Sequence, residues 1–235
     1  MLEYDAHGDI ANPALIFLHG FLGSKEDWAP MIDKLKRNFF CVAMELGSVN
    51  AMTQTLSQLP LHNRAYVGYS MGGRTALQLP ISCPSIILSA HFGLDTEQER
   101  TLRWEEDLRW IQMLENQPIR SFLEKWYAQP LFQSLRKQQT LFEQVLQRRS
   151  QQDPLKLASI LRQMSLGKQP KITAYHPQTL FLFGEQDLKY EQLYAKLPQT
   201  VLRKKIPNAG HAVHLENPDA CVEAIEEWSQ TNADN

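Results

Sequence analysis

Ser70 lies in Gly68-Tyr69-Ser70-Met71-Gly72, a serine bracketed by glycines, and Arg74 follows it by four residues. A hydroxyl pushed into the open at a sharp turn becomes a useful nucleophile or base once a histidine takes its proton. The glycines suit such a turn, because a side chain at either position would collide across it. An apolar strand pattern from Ala65 to Gly68 precedes the serine and a helical pattern follows, which is the setting of a nucleophile elbow. An incidental serine in a glycine-rich turn would lack that setting. The arginine raises a further question. A fixed positive charge one helical turn beyond the serine suits an anionic substrate and has no evident use in cleaving neutral esters.

The serine needs a base and the base needs an orienting carboxylate. Of the seven histidines, His211 in "NAGHAVHLENP" falls between the last strand pattern and the last helix. Asp187, in "FLFGEQDLKY", ends the strand before it. The order Ser70, Asp187, His211 is the chain order of an α/β-hydrolase triad. His214 is the rival base. With His211 and Glu216 it also spells a metal site, but no third ligand shows helix spacing and the serine would go unexplained. Negative charge developing on a substrate oxygen needs two backbone N–H donors. Met71, directly after the serine, is one, and Phe21 in "FLHGFLGS" is the other. His19 in that loop reads as structural rather than catalytic.

These residues need elements to hold them. The chain has 235 residues, enough for one domain or a core with an insertion. It is 43% hydrophobic and 21% charged with a formal net charge of −2, so the basic excess of a nucleic-acid binder is absent. No signal-peptide pattern opens the chain and no apolar run approaches the ~18 residues of a membrane span. Cys41, Cys83 and Cys221 are far apart and read as reduced core residues, so a cytoplasmic location is expected. Short, continuously apolar runs at 14–20, 39–47, 65–70, 85–90, 179–187 and 201–207 read as buried strands of a mostly parallel sheet. Helical patterns alternate with them, at 25–36, at 71–79 and after Asn217-Pro218, where Cys221, Ile225 and Trp228 share a face. The fold class is therefore α/β, a central sheet flanked by helices. One stretch, 95–168, is helical throughout, with breaks at Pro118, Pro130 and Pro154, and predicts three or four inserted helices. It holds eight of the twelve arginines. Most of them read as solvated helix faces. The expected organisation is a core of 1–94 and 169–235 carrying a cap of 95–168.

His19-Gly20, the elbow from Gly68 to Gly73, Gly184-x-x-Asp187 and Gly210-His211 together resemble the α/β-hydrolase superfamily over essentially the whole chain. Within it the sequence resembles the 2-succinyl-6-hydroxy-2,4-cyclohexadiene-1-carboxylate synthases, the lyases of menaquinone biosynthesis. That resemblance rests on Gly-Tyr-Ser-Met-Gly-Gly-Arg at 68–74, His91-x-Gly93-Leu94 and Arg103. It extends through Trp126-Tyr127-x-Gln129-Pro130-x-Phe132, Arg149-Ser150, Ser165-Leu166 before Gln169-Pro170, and Gly184-Glu185-x-Asp187-x-Lys189-Tyr190.

The resemblance implies a small polycarboxylate substrate bound by Arg74, Arg103 and an arginine near the end of the third cap helix. Arg148 and Arg149 compete for that place, and the following Ser150 favours Arg149. Tyr69, Trp126 and Tyr127 would wall the pocket. It also implies an elimination: Ser70, His211 and Asp187 act as a base while pyruvate leaves 2-succinyl-5-enolpyruvyl-6-hydroxy-3-cyclohexene-1-carboxylate, with no metal or cofactor, nucleic acid or membrane partner. The alternative enzyme is a carboxylesterase acting on a small-acid ester or an acyl-carrier-protein methyl ester with the same triad. A non-catalytic binding protein would have no use for the full triad. The sequence departs from the superfamily where Glu45-Leu46-Gly47-Ser48 replaces the usual Asp-x-Pro-Gly-His-Gly-x-Ser and the 47–64 region is short. Phe92 also stands where a proline is common.

Overall fold

The computed structural model describes residues 1–61 and 63–233. Its strands are Tyr4–His7 (β1), Ala14–Leu18 (β2), Phe40–Met44 (β3), Ala65–Tyr69 (β4), Ser85–Leu88 (β5), Leu180–Gly184 (β6) and Leu202–Ile206 (β7). They form one sheet in the order β1-β3-β2-β4-β5-β6-β7, parallel except for β1 against β3. Every residue of β2, β4, β5 and β6 is buried, as expected where helices cover both faces of a parallel sheet. The edges differ. All of β1 is exposed, and β7 carries Arg203, Lys204 and Lys205, charges that discourage a further strand from adding. The sequence reading missed β1 because an exposed strand has no apolar run.

The helices of the core are Ala29–Leu35 (α1), Val49–Leu56 (α2) and Met71–Ala76 (α3). Between β5 and β6 come Glu97–Asn116 (α4), Ile119–Ala128 (α5), Gln133–Lys137 (α6), Gln139–Arg149 (α7) and Pro154–Gln163 (α8). Leu188–Tyr194 (α9), Val213–Glu216 (α10) and Pro218–Ala233 (α11) complete the chain. Their starts are written locally. Thr96 and Glu99 form a reciprocal capping box at α4, Asp153 caps α8 with Pro154 in its first turn, and Asn217 accepts from the Ala220 N–H of α11. Five α-helices fill the insertion, not three or four, because the chain also breaks at Gln138, where no proline or glycine signals it. The expected helix over 25–36 is a 3-10 turn, Lys25–Trp28, leading into α1, with Trp28 fully buried. Cys83 is also not a core residue. It is half-buried and accepts a hydrogen bond from Arg64 Nε, while Cys41 and Cys221 are buried as expected.

The backbone is packed very closely at the turn from β4 into α3. Ser70 has φ 50 and ψ −110, a backbone region that L-residues avoid. Such strain persists only where the surroundings over-determine it. Here α3 lies so close to the sheet that a Cβ on Gly72 would sit 2.1 Å from the Leu18 carbonyl oxygen, and one on Gly68 2.6 Å from the Gly73 Cα. Both obstacles are backbone and cannot swing aside. We expect Gly72→Ala to lower the free energy of unfolding by about 2–3 kcal/mol, in the range of severe overpacking, as read from urea denaturation.

Candidate active site

Parallel strands deliver their loops to one end of a sheet, and the predicted residues gather there. Ser70 follows β4, Asp187 follows β6, His211 follows β7 and Phe21 follows β2. His211 Nδ1 lies 2.9 Å from Asp187 Oδ2, with both side chains buried. Asp187 Oδ1 also accepts from the Tyr190 N–H at the start of α9. A proton on Nδ1 directed at this carboxylate leaves Nε2 as the basic nitrogen. Glu216 fastens the histidine loop, accepting from the Gly210 and Ala212 N–H groups at 2.9 and 3.0 Å and from Ser134 Oγ of the insertion at 2.5 Å. No hydrogen bond joins Ser70 Oγ to His211 among the described residues. Such contacts are often long until substrate is bound.

Ser70 and His211 line a small cavity of about 120 Å³ between the strand ends and the insertion. A cleft of about 900 Å³, lined by Pro13, Arg64 and Trp228, lies at the opposite ends of the strands and holds none of this chemistry. Phe21 and Met71 also line the small cavity. No acceptor among the described residues takes either of their N–H groups: Met71 opens α3, where a helix leaves its first donors unpaired. Gly20 makes the approach possible, since a Cβ there would fall 2.7 Å from the Tyr69 ring and 3.5 Å from the Ser70 Cβ.

The cavity is positively charged. Arg74 is only 8% exposed, and its polar contact is Nη1 donating to Gln169 Oε1 at 3.2 Å. No carboxylate pairs with it among the described residues. Burial, together with the Arg103 charge, draws its guanidinium down to about 10, which leaves it charged at neutral pH. Arg103, on α4, lines the same cavity. Its Nε donates to Asp107 at 3.0 Å, and Asp107 in turn accepts from Ser165 at 2.7 Å. Trp126 forms an aromatic wall with Trp110, Phe122 and Phe21.

Three expectations are corrected. Arg149 is buried away from the cavity, in an ion pair with Asp27. Its neighbour Arg148 is largely exposed and 3.6 Å from the same carboxylate. Tyr69 also does not line the cavity; its ring lies tilted against His214, with centroids 4.3 Å apart. Tyr127 is likewise packed inside the insertion, against Phe132 and Phe142. In their place the cavity gains Lys189, from α9, and His91, from the loop after β5. Burial, with the charges of Lys189, Arg74 and Arg103, pushes the His91 imidazole down to about 4. Its Nδ1 accepts from the Gly93 N–H, so the neutral ring presents an N–H at Nε2. Both stood in the quoted motifs, but nothing in the sequence said which way they point.

Two further histidines near the site, His214 and His19, have structural roles. His214 is fully buried between the rings of Trp28 and Tyr69, and burial pushes it down to about 3, unsuited to serve as base. His19 bridges its loop: Nδ1 meets the Gly20 carbonyl at 2.8 Å, and the Leu46 N–H donates to Nε2 at 3.2 Å. That bridge ties the Phe21 loop to the shortened segment after β3. No helix among the described residues is long and apolar enough to cross a membrane.

This fold and site belong to a well-populated class. The alpha/beta hydrolase family model matches residues 15–224, and the chain belongs to that family of enzymes. The sequence is 31% identical over 241 residues to a 2-succinyl-6-hydroxy-2,4-cyclohexadiene-1-carboxylate synthase of Salmonella newport, with 93% of this chain and 94% of that protein covered. It is 32% identical to the Citrobacter koseri protein of the same name, with the same shares covered. MenH from S. aureus superposes with a TM-score of 0.88 at 27% identity, over 98% of this chain and 99% of that one. A thermophilic esterase from Thermogutta terrifontis shares the fold, with a TM-score of 0.74 at 19% identity over 98% and 93% of the two chains.

The buried His214 has a consequence for stability. Its folded pKa lies below its ordinary value, so on acidification the unfolded chain takes up the proton first and the folded state loses ground. The loss begins near pH 6.5 and continues toward about 3. Urea unfolding should therefore show the parent losing about 2 kcal/mol more than His214→Phe between pH 6.5 and 4.5.

Proposed function

We propose that this enzyme eliminates pyruvate from 2-succinyl-5-enolpyruvyl-6-hydroxy-3-cyclohexene-1-carboxylate, giving 2-succinyl-6-hydroxy-2,4-cyclohexadiene-1-carboxylate. The observation that carries the reading is Arg74: a buried guanidinium with no carboxylate partner among the described residues, on the helix that begins at Ser70. A buried charge is costly unless it is paired. A carboxylate of the substrate supplies the pair, with a second held by Arg103 or Lys189. Guanidinium forks are suited to this, since they accept a carboxylate through two parallel hydrogen bonds. The relatives that share about a third of its residues bear the name of this synthase.

The names of substrate and product fix the electron flow. A proton leaves ring carbon 2, next to the succinyl ketone, and its electron pair forms the 2,3 double bond. The original 3,4 double bond shifts to 4,5, and the carbon–oxygen bond at carbon 5 breaks with its electron pair going to the oxygen. The enolate of pyruvate departs, to be protonated to pyruvate by the proton that the triad took up. Ser70 oxygen removes the ring proton while His211 Nε2 takes the hydroxyl proton, and Asp187 holds the imidazolium that results. The Phe21 and Met71 N–H groups receive the charge that spreads onto the ketone oxygen. The His91 Nε2–H and Arg74 hold the carboxylate of the departing group. Neutral His91 can donate without becoming a competing acid. The same three residues acting as nucleophile would make an esterase, which forms an acyl-enzyme and releases no pyruvate.

The test is pyruvate release by the purified protein, coupled to lactate dehydrogenase, beside p-nitrophenyl acetate cleavage. We expect pyruvate release that falls about a hundred- to ten-thousandfold in Ser70→Ala and in His211→Ala. Ester cleavage without pyruvate release would assign the triad to hydrolysis.

A further inference from the structure

The loop that carries the Phe21 N–H is strained, and its own turn, Gly23 N–H to the Gly20 carbonyl at 2.9 Å, is not its only support. Leu22 has φ 65, in the left-handed region that a bulky side chain disfavours, yet it is 2% exposed and fixed. The insertion supplies what fixes it. Gln152, just after α7, donates from Nε2 to the carbonyls of Leu22 at 2.8 Å and Gly23 at 3.2 Å. Asp27 Oδ2 accepts from the Ser24 N–H at 3.3 Å and at the same time from Arg149 Nη2, the last residue of α7. Burial pushes the Asp27 carboxyl up, but the Arg149 charge and hydrogen bond, with smaller contributions from neighbouring groups, together hold it below the usual carboxylate range. The aromatic face of Phe21 rests on Trp126 at 5.1 Å and Phe122 at 6.4 Å, both on α5. The contacts of Gln152, Arg149, Trp126 and Phe122 all cross from the insertion to the same nine-residue stretch, 20–28.

We infer that Arg149 and Gln152 are positioning residues, a clamp through which the insertion holds the strained Phe21 loop so that its N–H stays aimed at the cavity. The arginine then acts on catalysis through Asp27 and Ser24 and never touches the substrate. This rests on the reading of Phe21 as a donor at the Ser70 site, but not on whether the site eliminates or hydrolyses. The buried pair suits the purpose because removing Arg149 leaves the buried Asp27 carboxylate with only the largely exposed Arg148, 3.6 Å away, as its cation. Arg149 Nε and Nη1 make no hydrogen bond among the described residues, so the guanidinium is committed to Asp27 through Nη2.

The experiment compares Arg149→Met, Gln152→Ala and the double variant Asp27→Leu/Arg149→Met with the parent. It measures amide hydrogen exchange, kcat and KM for pyruvate release, and the rate at which a fluorophosphonate labels Ser70. Both single variants should speed exchange over 20–28 at least tenfold while 71–76 keeps the parent rate. Both should lower kcat and the labelling rate about tenfold and leave KM within twofold. The double variant buries no unpaired charge, so its labelling rate should exceed that of Arg149→Met. Gln152→Ala removes no charge, and it carries the test alone if Arg149→Met does not fold. Unchanged exchange over 20–28 overturns the inference, as does faster exchange with unchanged labelling. A raised KM at constant kcat also overturns it, since that marks Arg149 as a substrate ligand. If the parent labels at Ser70 but releases no pyruvate, the proposed elimination fails while exchange and labelling still decide the clamp.

Discussion

A guanidinium held beside Ser70 without a carboxylate to neutralise it is the constraint around which the site is arranged. Arg74 cannot turn to solvent, because its helix is pinned to β2 by the contact of Gly72 with the Leu18 carbonyl. It cannot lose its proton at neutral pH either. The protein holds this charge with one amide, Gln169, and with no carboxylate among the described residues. Asp107 could have quenched the field, but it is occupied by Arg103 and Ser165. His91, in the same cavity, stays neutral because it is buried, with the charges of Lys189, Arg74 and Arg103 adding to the effect, and it remains a donor.

Core and insertion divide the chemistry between them. The ends of β4, β6 and β7 set Ser70, Asp187 and His211, and a buried parallel sheet holds such termini rigidly. The insertion closes the far side with Arg103 and the Trp110–Trp126 wall. The two parts meet at the histidine loop through Ser134 and Glu216, and at the Phe21 loop through Arg149 and Gln152. An insertion packed on a hydrolase core thus has two openings to influence the reacting atoms without contributing a triad residue.

The sequence made the sheet legible because strands buried on both faces must be apolar at every position, which a pattern search finds readily. The elbow was legible because the backbone there forces the glycines, and the order of serine, aspartate and histidine follows from the topology. What the sequence did not convey is the direction of individual side chains. Arg148 and Arg149 are adjacent and chemically alike, so only packing decides that Arg149 turns to Asp27. Asp27 itself looked like an ordinary acidic residue at a helix start, although it is 2% exposed. Lys189 and His91 stood in motifs without a sign of where they point. The exposed β1 and the break at Gln138 escaped because neither burial nor proline marks them.

The central claim, that Arg74 is reserved for a substrate carboxylate, is tested most directly by kcat/KM for pyruvate release in Arg74→Met against the parent, beside cleavage of neutral p-nitrophenyl acetate. Truncating one partner of a buried charge pair costs about 2–5 kcal/mol, so pyruvate release should fall roughly thirty- to several-thousandfold. Ester cleavage should stay within a fewfold of the parent. Equal loss of both activities, or no loss of either, would contradict the claim and leave Arg74 as a structural residue of α3.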